Sequence, residues 1–532
     1  MKAIKRHSRQ EDGPSIHQDL SVDDRDMQRM ALSSELRRRF KLASVIGFAC
    51  ISGATWEWAL VRSLQWWFGR FVVLLSTVWP NLTRAGVIWI FLAVIIGMFT
   101  VVLSMAEMAS IAPSTAGQYI WVSEVGPPGA QRLLSYFVEG WFATIGWQGA
   151  AASNPLVLAQ HVEALIAFQD PTFEIQGWMT SLLMIAFAAA ATVVNIHGIR
   201  FLSSLEAVML ALHVVEFFAV LIPLWLVGER SSTQDVFYTF EDNAGWGSVG
   251  TACLVGLLGP IMTSIGGDST VHLGEEIKNA SRTLPLSMVF TSLMNYAVRF
   301  IMTITVMYVS SNFDQAIADA TGESYVAVIY AATQSKTATT ILTVIILVLF
   351  FCTAINTVTT SSRQLFAFAR DGGLPFSDNE PRTGLPINAL LTTFGVTFVL
   401  SWIICGSSIA FQNITSITIV GLLLSYGTTI ATMLYRRWSD VALPAARWRY
   451  PRAIWYLVNV LALCFISIAF IFAYFPTAPN PSAESMNWTV VVTLAVVIRG
   501  SSTFEGPAVR MKKAEDDSSL VAMEDIVVHG KQ

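Results

Sequence analysis

Two stretches of this chain combine small residues in a way that could expose peptide groups to a charged solute. The first reads Gly47-Phe48-Ala49-Cys50-Ile51-Ser52-Gly53-Ala54-Thr55-Trp56-Glu57. The second reads Gly256-Leu257-Leu258-Gly259-Pro260, then Ile265-Gly266-Gly267-Asp268. Both lie inside otherwise apolar runs. A helix that loses its winding at such residues leaves a half-helix N-terminus, whose free N–H groups and positive dipole end suit a carboxylate. Close helix–helix packing uses the same small residues and is the competing role. Asp268 stands beside the second break. A carboxyl at membrane depth is costly as an anion and defaults to function or pairing, so Asp268 is the candidate for loading and unloading a proton. The plainer role is a hydrogen bond to a freed backbone amide.

A second group of residues could open and close a path. Glu107 lies in Ala106-Glu107-Met108-Ala109-Ser110-Ile111-Ala112-Pro113, which leads to Gly117-Gln118-Tyr119-Ile120-Trp121. Glu275, Glu276 and Lys278 lie in Gly274-Glu275-Glu276-Ile277-Lys278-Asn279-Ala280, and Arg363, Arg370 and Asp371 in the stretch from Ser361 to Pro375. Opposite charges gathered at one membrane face can lock a gate that must break for release. Interfacial anchoring by snorkelling side chains is the alternative. Glu216 and Arg299 also fall inside apolar runs, where a pair between them is conceivable. Glu139, His161 and Glu163 sit nearer run ends and are expected to be wet. Trp141, Trp147 and Gln148 could face a cavity or simply pack.

These residues need a scaffold, and the composition says which. The 532 residues are 54% hydrophobic and 13% charged, against roughly 25% charged in soluble domains, so lipid must be the solvent. Apolar runs near 43–60, 86–112, 134–166, 178–197, 204–227, 250–273, 286–310, 338–360, 387–406, 409–434 and 453–475, with a weaker one from Asn487, predict an all-α polytopic membrane protein of about twelve transmembrane helices. Basic residues collect in alternate loops, from Arg37, Arg38, Arg39 and Lys41 through Arg132, Arg200, Lys278 and Arg282 to Arg436, Arg437, Arg447, Arg449 and Arg452. Acidic residues fill the others, including Asp170, Glu174, Asp235, Asp314 and Glu484. The bias predicts cytoplasmic N- and C-termini. Residues 61–85 are too basic for an outside loop, and the last run is too short to cross. Residues 1–42 read as a disordered cytosolic tail without a cleavable signal peptide, 43–498 as the membrane domain and 499–532 as a second cytosolic tail. Cys50, Cys253, Cys352, Cys405 and Cys464 lie singly, without metal or disulfide spacing, and are expected as packed thiols.

In order and position, these segments resemble the amino acid–polyamine–organocation superfamily, and more narrowly its fungal amino acid/choline transporter family, which includes GABA and choline permeases. The resemblance covers roughly residues 40–475 and rests on Ala-Phe-Ala-Arg-Asp-Gly, Glu-Glu-Ile-Lys-Asn-Ala, Trp56-Glu57 and Gly146-Trp147-Gln148. It implies a leucine-transporter-type fold of 5+5 inverted repeats, with substrate between the first and sixth spans and usually proton coupling. Carried onto this chain, substrate contacts fall at Ile51, Ser52, Gly53, Ala54, Ile265, Gly266 and Gly267, with Trp147 beside them. Asp268 falls where relatives often carry an acid. Ala116 stands where the motif usually has Gly, and Glu139, Glu216 and Arg299 replace residues normally small or uncharged.

The expectation is a cell-membrane permease for an amino acid, GABA or choline, working by alternating access and coupled to protons. A nutrient sensor that binds without transporting is the alternative. No HExxH, GxSxG or clustered inward His/Asp set points to an enzyme, and nothing suggests the charge rings of a channel. The expected partners are a small amino acid or amine, protons and the lipid bilayer, with no cofactor, metal or nucleic acid.

Overall fold

The computed structural model describes residues 21–498, apart from 31, 33–35, 69–82, 229, 243–244, 310–323, 375–384, 407, 440–442, 445, 477–478 and 482–485. The tail residues 1–20 and 499–532, most of the 61–85 stretch, and the loop acids Asp314, Asp319, Glu323 and Glu484 lie outside the described residues, as does the Glu139 side chain. The described residues form helices and turns, with one isolated bridge between Phe40 and Ile277.

Nine helices are long and apolar enough to cross a membrane among the described residues: Leu42–Val61, Arg84–Ile111, Gly177–His197, Ser204–Leu226, Ala280–Val309, Lys336–Arg370, Ile387–Cys405, Ser416–Trp438 and Arg452–Phe472. The expected third span is the 27-residue helix Ala143–Gln169, preceded by a π-helical stretch Leu134–Phe142. The expected twelfth is a ten-residue helix, Thr489–Ile498. Large apolar side chains such as Phe201, Val215, Leu226 and Leu293 stand exposed on the outside of the bundle, where lipid rather than water would cover them. Polar side chains turn inward. Many Ser and Thr hydroxyls donate to the carbonyl one turn back, as Thr291 does to Ser287 and Thr303 to Arg299.

The first and sixth spans are interrupted. Leu42–Ser52 and Thr55–Phe68 are separate helices, and Ala54 between them holds a left-handed φ of 36°. Val249–Val255 and Leu258–Ser264 are followed by turns from Ile265 and a short 3-10 helix, Val271–Glu276. The run near 250–273, expected to break at Ile265-Gly266-Gly267-Asp268, is α-helical only as far as Ser264. Gly266 adopts φ 95°, which a β-carbon disfavours, and the Gly-Gly-Asp-Ser-Thr that follows is poor in helix formers. The seventh span packs along the second and against both halves of the first, so it bridges the interruption.

Part of the expected N-terminal tail is folded. Helix Val22–Arg29 is capped by the Ser21 hydroxyl. Asp23 accepts from the Asn279 and Ala280 amides at 2.8 and 2.9 Å, where the seventh span begins. Arg39, Phe40 and Lys278 exchange main-chain hydrogen bonds with Glu276 and Phe40, and Arg38 donates to the Ile277 carbonyl. The thiols divide by position: Cys50 and Cys352 are buried, Cys253 is half-buried, and Cys405 and Cys464 face outward rather than packing inside.

Candidate functional site

Unwound backbone inside an apolar bundle needs partners for its carbonyls, and at the first break side chains supply them. Thr353 donates to the Ile51 carbonyl at 2.9 Å and Asn356 to Phe48 at 3.4 Å. Arg299, fully buried on the seventh span, reaches three acceptors at once. Its Nε donates to the Thr55 carbonyl at 3.0 Å, one terminal nitrogen to the Gly53 carbonyl at 3.2 Å, and the other to the Ser264 hydroxyl at 3.0 Å. One guanidinium thus ties the two breaks together. Tyr296, one turn earlier, donates to the Ser264 carbonyl at 3.1 Å.

Between the breaks lies a small, partly open polar hollow. Gly53, Thr55, Ser264, Ile265, Gly266, Gly267, Asn295, Tyr296 and Arg299 are among its walls. Of the eight expected contact residues, Gly53, Ile265, Gly266 and Gly267 therefore line it. Ile51 and Ala54 are buried and off the lining; half-buried Ser52 is off it too, and its hydroxyl donates to the Phe48 carbonyl. Trp147 is also off the lining, but it stands against Gly266: a β-carbon there would lie 3.6 Å from its ring. Its ring meets His272 edge-on, centroids 5.5 Å apart.

Asp268 sits beyond this wall, fully buried in a cage of side chains rather than on a backbone amide. Gln118 donates to one oxygen at 2.5 Å, the Tyr426 hydroxyl to the other at 2.5 Å, and His272 Nε2 lies 3.5 Å away. His272 Nδ1 is 2.9 Å from the Thr115 carbonyl. A carbonyl only accepts, so Nδ1 carries a hydrogen and Nε2 faces the carboxyl. Across the first break, His213 Nδ1 lies 2.6 Å from Glu57, and both are buried. Glu216, one turn on from His213, has neither oxygen hydrogen-bonded. The conceivable Glu216–Arg299 pair is not formed, because the guanidinium is turned to the helix breaks. His161 and Glu163, expected to be wet, are buried: His161 packs against Tyr325 and Phe350, and Glu163 accepts from the Thr180 hydroxyl at 2.6 Å.

At the end of the bundle that the charge bias assigns to the cytosol, three buried carboxylates each pair with an arginine, of which Arg363 is buried and Arg370 and Arg437 are half-buried. Arg370 grips Glu275 with both terminal nitrogens, at 2.9 and 3.0 Å, while the Ser114 and Thr115 hydroxyls donate to the same carboxylate. Arg363 donates to Glu276 at 2.9 Å. Glu107 pairs with Arg437, whose guanidinium lies over the Trp455 ring. Tyr119 donates to Asp371 at 2.9 Å. Burial by itself would lift the Glu275 carboxyl, but the Arg370 charge and the donors around it hold it down at about 2. Lys278 does not join these pairs. Its side chain is exposed, and only its amide is engaged, with the Phe40 carbonyl. Sequence reasoning missed Arg437, which lies 330 residues from Glu107, and also Tyr426 and His272. The seventh-span arginine was visible as an intramembrane charge, although its partners were not.

Interrupted first and sixth helices around a polar hollow, with a charged lock below, define a permease-type site. The amino acid permease family model matches residues 68–496. The chain belongs to that family, and it is a multi-pass membrane transporter and not an enzyme. It is similar to a candidate amino acid/polyamine transporter of Macrophomina phaseolina, 28% identical over 76% of this chain and 90% of that protein. It is also similar to the choline transporter of Saccharomyces cerevisiae, at 26% over 86% and 79%. The amino-acid permease BAT1 of Arabidopsis thaliana is 27% identical over 75% and 81%.

Proposed function

We propose that this chain is a proton-coupled permease of the cell membrane, with both termini in the cytoplasm, carrying an amino acid or related small amine by alternating access. The observation that carries this reading is the hollow between the two interrupted helices, with Asp268 caged one wall away. The Ile265-Gly266-Gly267 break, which lines the hollow, receives the substrate, and Trp147 closes beneath it. Asp268 carries the coupling proton, with His272 Nε2 facing its carboxyl at 3.5 Å. The pairs Glu275–Arg370, Glu276–Arg363 and Glu107–Arg437 form the inner gate, with Asp371 held by Tyr119. They are closed here and must part for release. Among relatives, the amino acid and choline transporters support this substrate range. The test is uptake of labelled substrates into cells lacking their own permeases, at external pH 5 and 7. Accumulation that grows as the outside is acidified supports the reading. Equal uptake at both pH values, or equilibration without accumulation, removes the coupling.

A further inference from the structure

We infer that Arg299 sets the substrate class of this hollow: it takes small solutes with more carboxylate than ammonium, and it excludes cations such as quaternary ammoniums and polyamines. This rests on the transport reading above and narrows it. Among the described residues lining the hollow, Arg299 is the one with a charged side chain. The others are glycines, apolar groups, hydroxyls, the Asn295 amide and the Tyr296 phenol. Among the described residues, no carboxylate comes within ion-pairing distance of the guanidinium. Glu57, the acid on the neighbouring half-helix, is turned to His213 at 2.6 Å. Asp268 is enclosed by Gln118, Tyr426 and His272.

A buried guanidinium with no carboxylate in contact is costly; the nearby Glu57 charge offsets part of that cost, and the arrival of an anion relieves the rest. The guanidinium has five N–H donors. Three serve Thr55, Ser264 and Gly53, which leaves two for a ligand. A carboxylate meeting those donors gains charge-assisted hydrogen bonds. For a cation the same geometry is doubly unfavourable. Unwound carbonyls are where such folds coordinate positive charge, and here the Gly53 and Thr55 carbonyls already accept from Arg299. An incoming ammonium would have to share these acceptors with Arg299 and would meet a like charge beside them.

The experiment compares wild type, Arg299→Lys and Arg299→Gln, each purified for ligand-induced thermal stabilisation and each expressed in permease-deficient cells for uptake. The probes are glutamate, alanine, choline and putrescine. Wild type should bind and carry glutamate best and neither choline nor putrescine. Arg299→Lys should keep that order. Arg299→Gln should lose about 10- to 100-fold in glutamate affinity relative to alanine and admit the cations. Choline or putrescine taken by wild type as well as glutamate overturns the inference. So does a folded Arg299→Gln protein with the wild-type order, which would leave Arg299 as a structural tie alone. Where Arg299→Gln does not fold, the wild-type order and the Lys variant decide. Glutamate-specific stabilisation without uptake of any solute upholds the inference and removes the transport reading. Uptake of cations alone does the reverse.

Discussion

Arg370 on the eighth span holds Glu275 with two parallel hydrogen bonds of 2.9 and 3.0 Å, fastening the long eighth helix to the turn that ends the interrupted sixth. Whatever moves that turn must first break this fork. Removing Arg370 would leave Glu275 buried with its charge uncompensated, at about 3–5 kcal/mol. For Arg370→Ala we expect a lower thermal midpoint and faster reaction of a reporter cysteine beside the gate with a cytosolic thiol reagent. Unchanged labelling would show that the pair does not keep the inner side shut.

The same pair fixes a pH window. With the Glu275 carboxyl held at about 2 against an ordinary 4.5, its folded value lies below its unfolded one. Its contribution to stability is therefore complete above about pH 5 and disappears only as pH falls toward 2. The Glu275–Arg370 contact should therefore hold unchanged between pH 5 and 8, so the labelling difference between wild type and Arg370→Ala should be constant across that range. A transition inside that range would mean that another group controls the gate.

Asp268 should behave differently in function. Asp268→Asn keeps the shape and can still accept from Tyr426, but it cannot exchange a proton. We expect uptake to lose its dependence on external pH and to stop at equilibration, while exchange of internal for external substrate persists. His272→Gln should shift the pH profile rather than abolish it. An Asn variant that still concentrates substrate would place the coupling group elsewhere.

The two glycines of the sixth-span break should fail for different reasons. Gly266→Ala has space, with the nearest atom 3.6 Å away, but its φ of 95° makes any side chain strained, by about 1–2 kcal/mol. Gly267→Ala would place its β-carbon 2.7 Å from a Val102 methyl, an overpacking cost of about 1–3 kcal/mol. Trimming the partner with Val102→Ala should therefore restore transport to Gly267→Ala and do nothing for Gly266→Ala. Equal rescue of both would contradict the backbone argument.

Asp23 offers a stability measurement away from the site. It caps the start of the seventh span with both carboxylate oxygens. Asp23→Ala should cost about 1 kcal/mol and make the peptide bonds around Val22–Arg29 more open to limited proteolysis. Resistance equal to wild type would show that the N-terminal segment stays docked without this contact.

Much of the frame was legible in the sequence because lipid imposes a simple rule, a run of apolar residues for each crossing. The interruption at Ala54 and Gly266 was legible too, from clustered small residues inside such runs. The partners were not. Asp268 is satisfied by residues 150 and 158 positions away, and Glu107 by one 330 away; no spacing rule connects them. Lys278 resembled its gate neighbours in sequence, yet one residue past the Glu276–Ile277 turn its side chain faces outward. The N-terminal tail read as disordered from its polar composition, but Asp23 finds free helix-end amides that only the folded bundle provides.

The most direct measurement asks whether solute occupies the space between the separated helix halves. In a protein whose native cysteines are replaced, Ser292→Cys on the hollow wall would report a small thiol reagent entering from outside. We expect the transported substrate to slow this modification, half-maximally near its KM, with no such protection for a cysteine on the lipid-facing surface at Leu293. Modification of Ser292→Cys at the same rate with and without saturating substrate would contradict a binding site at the breaks.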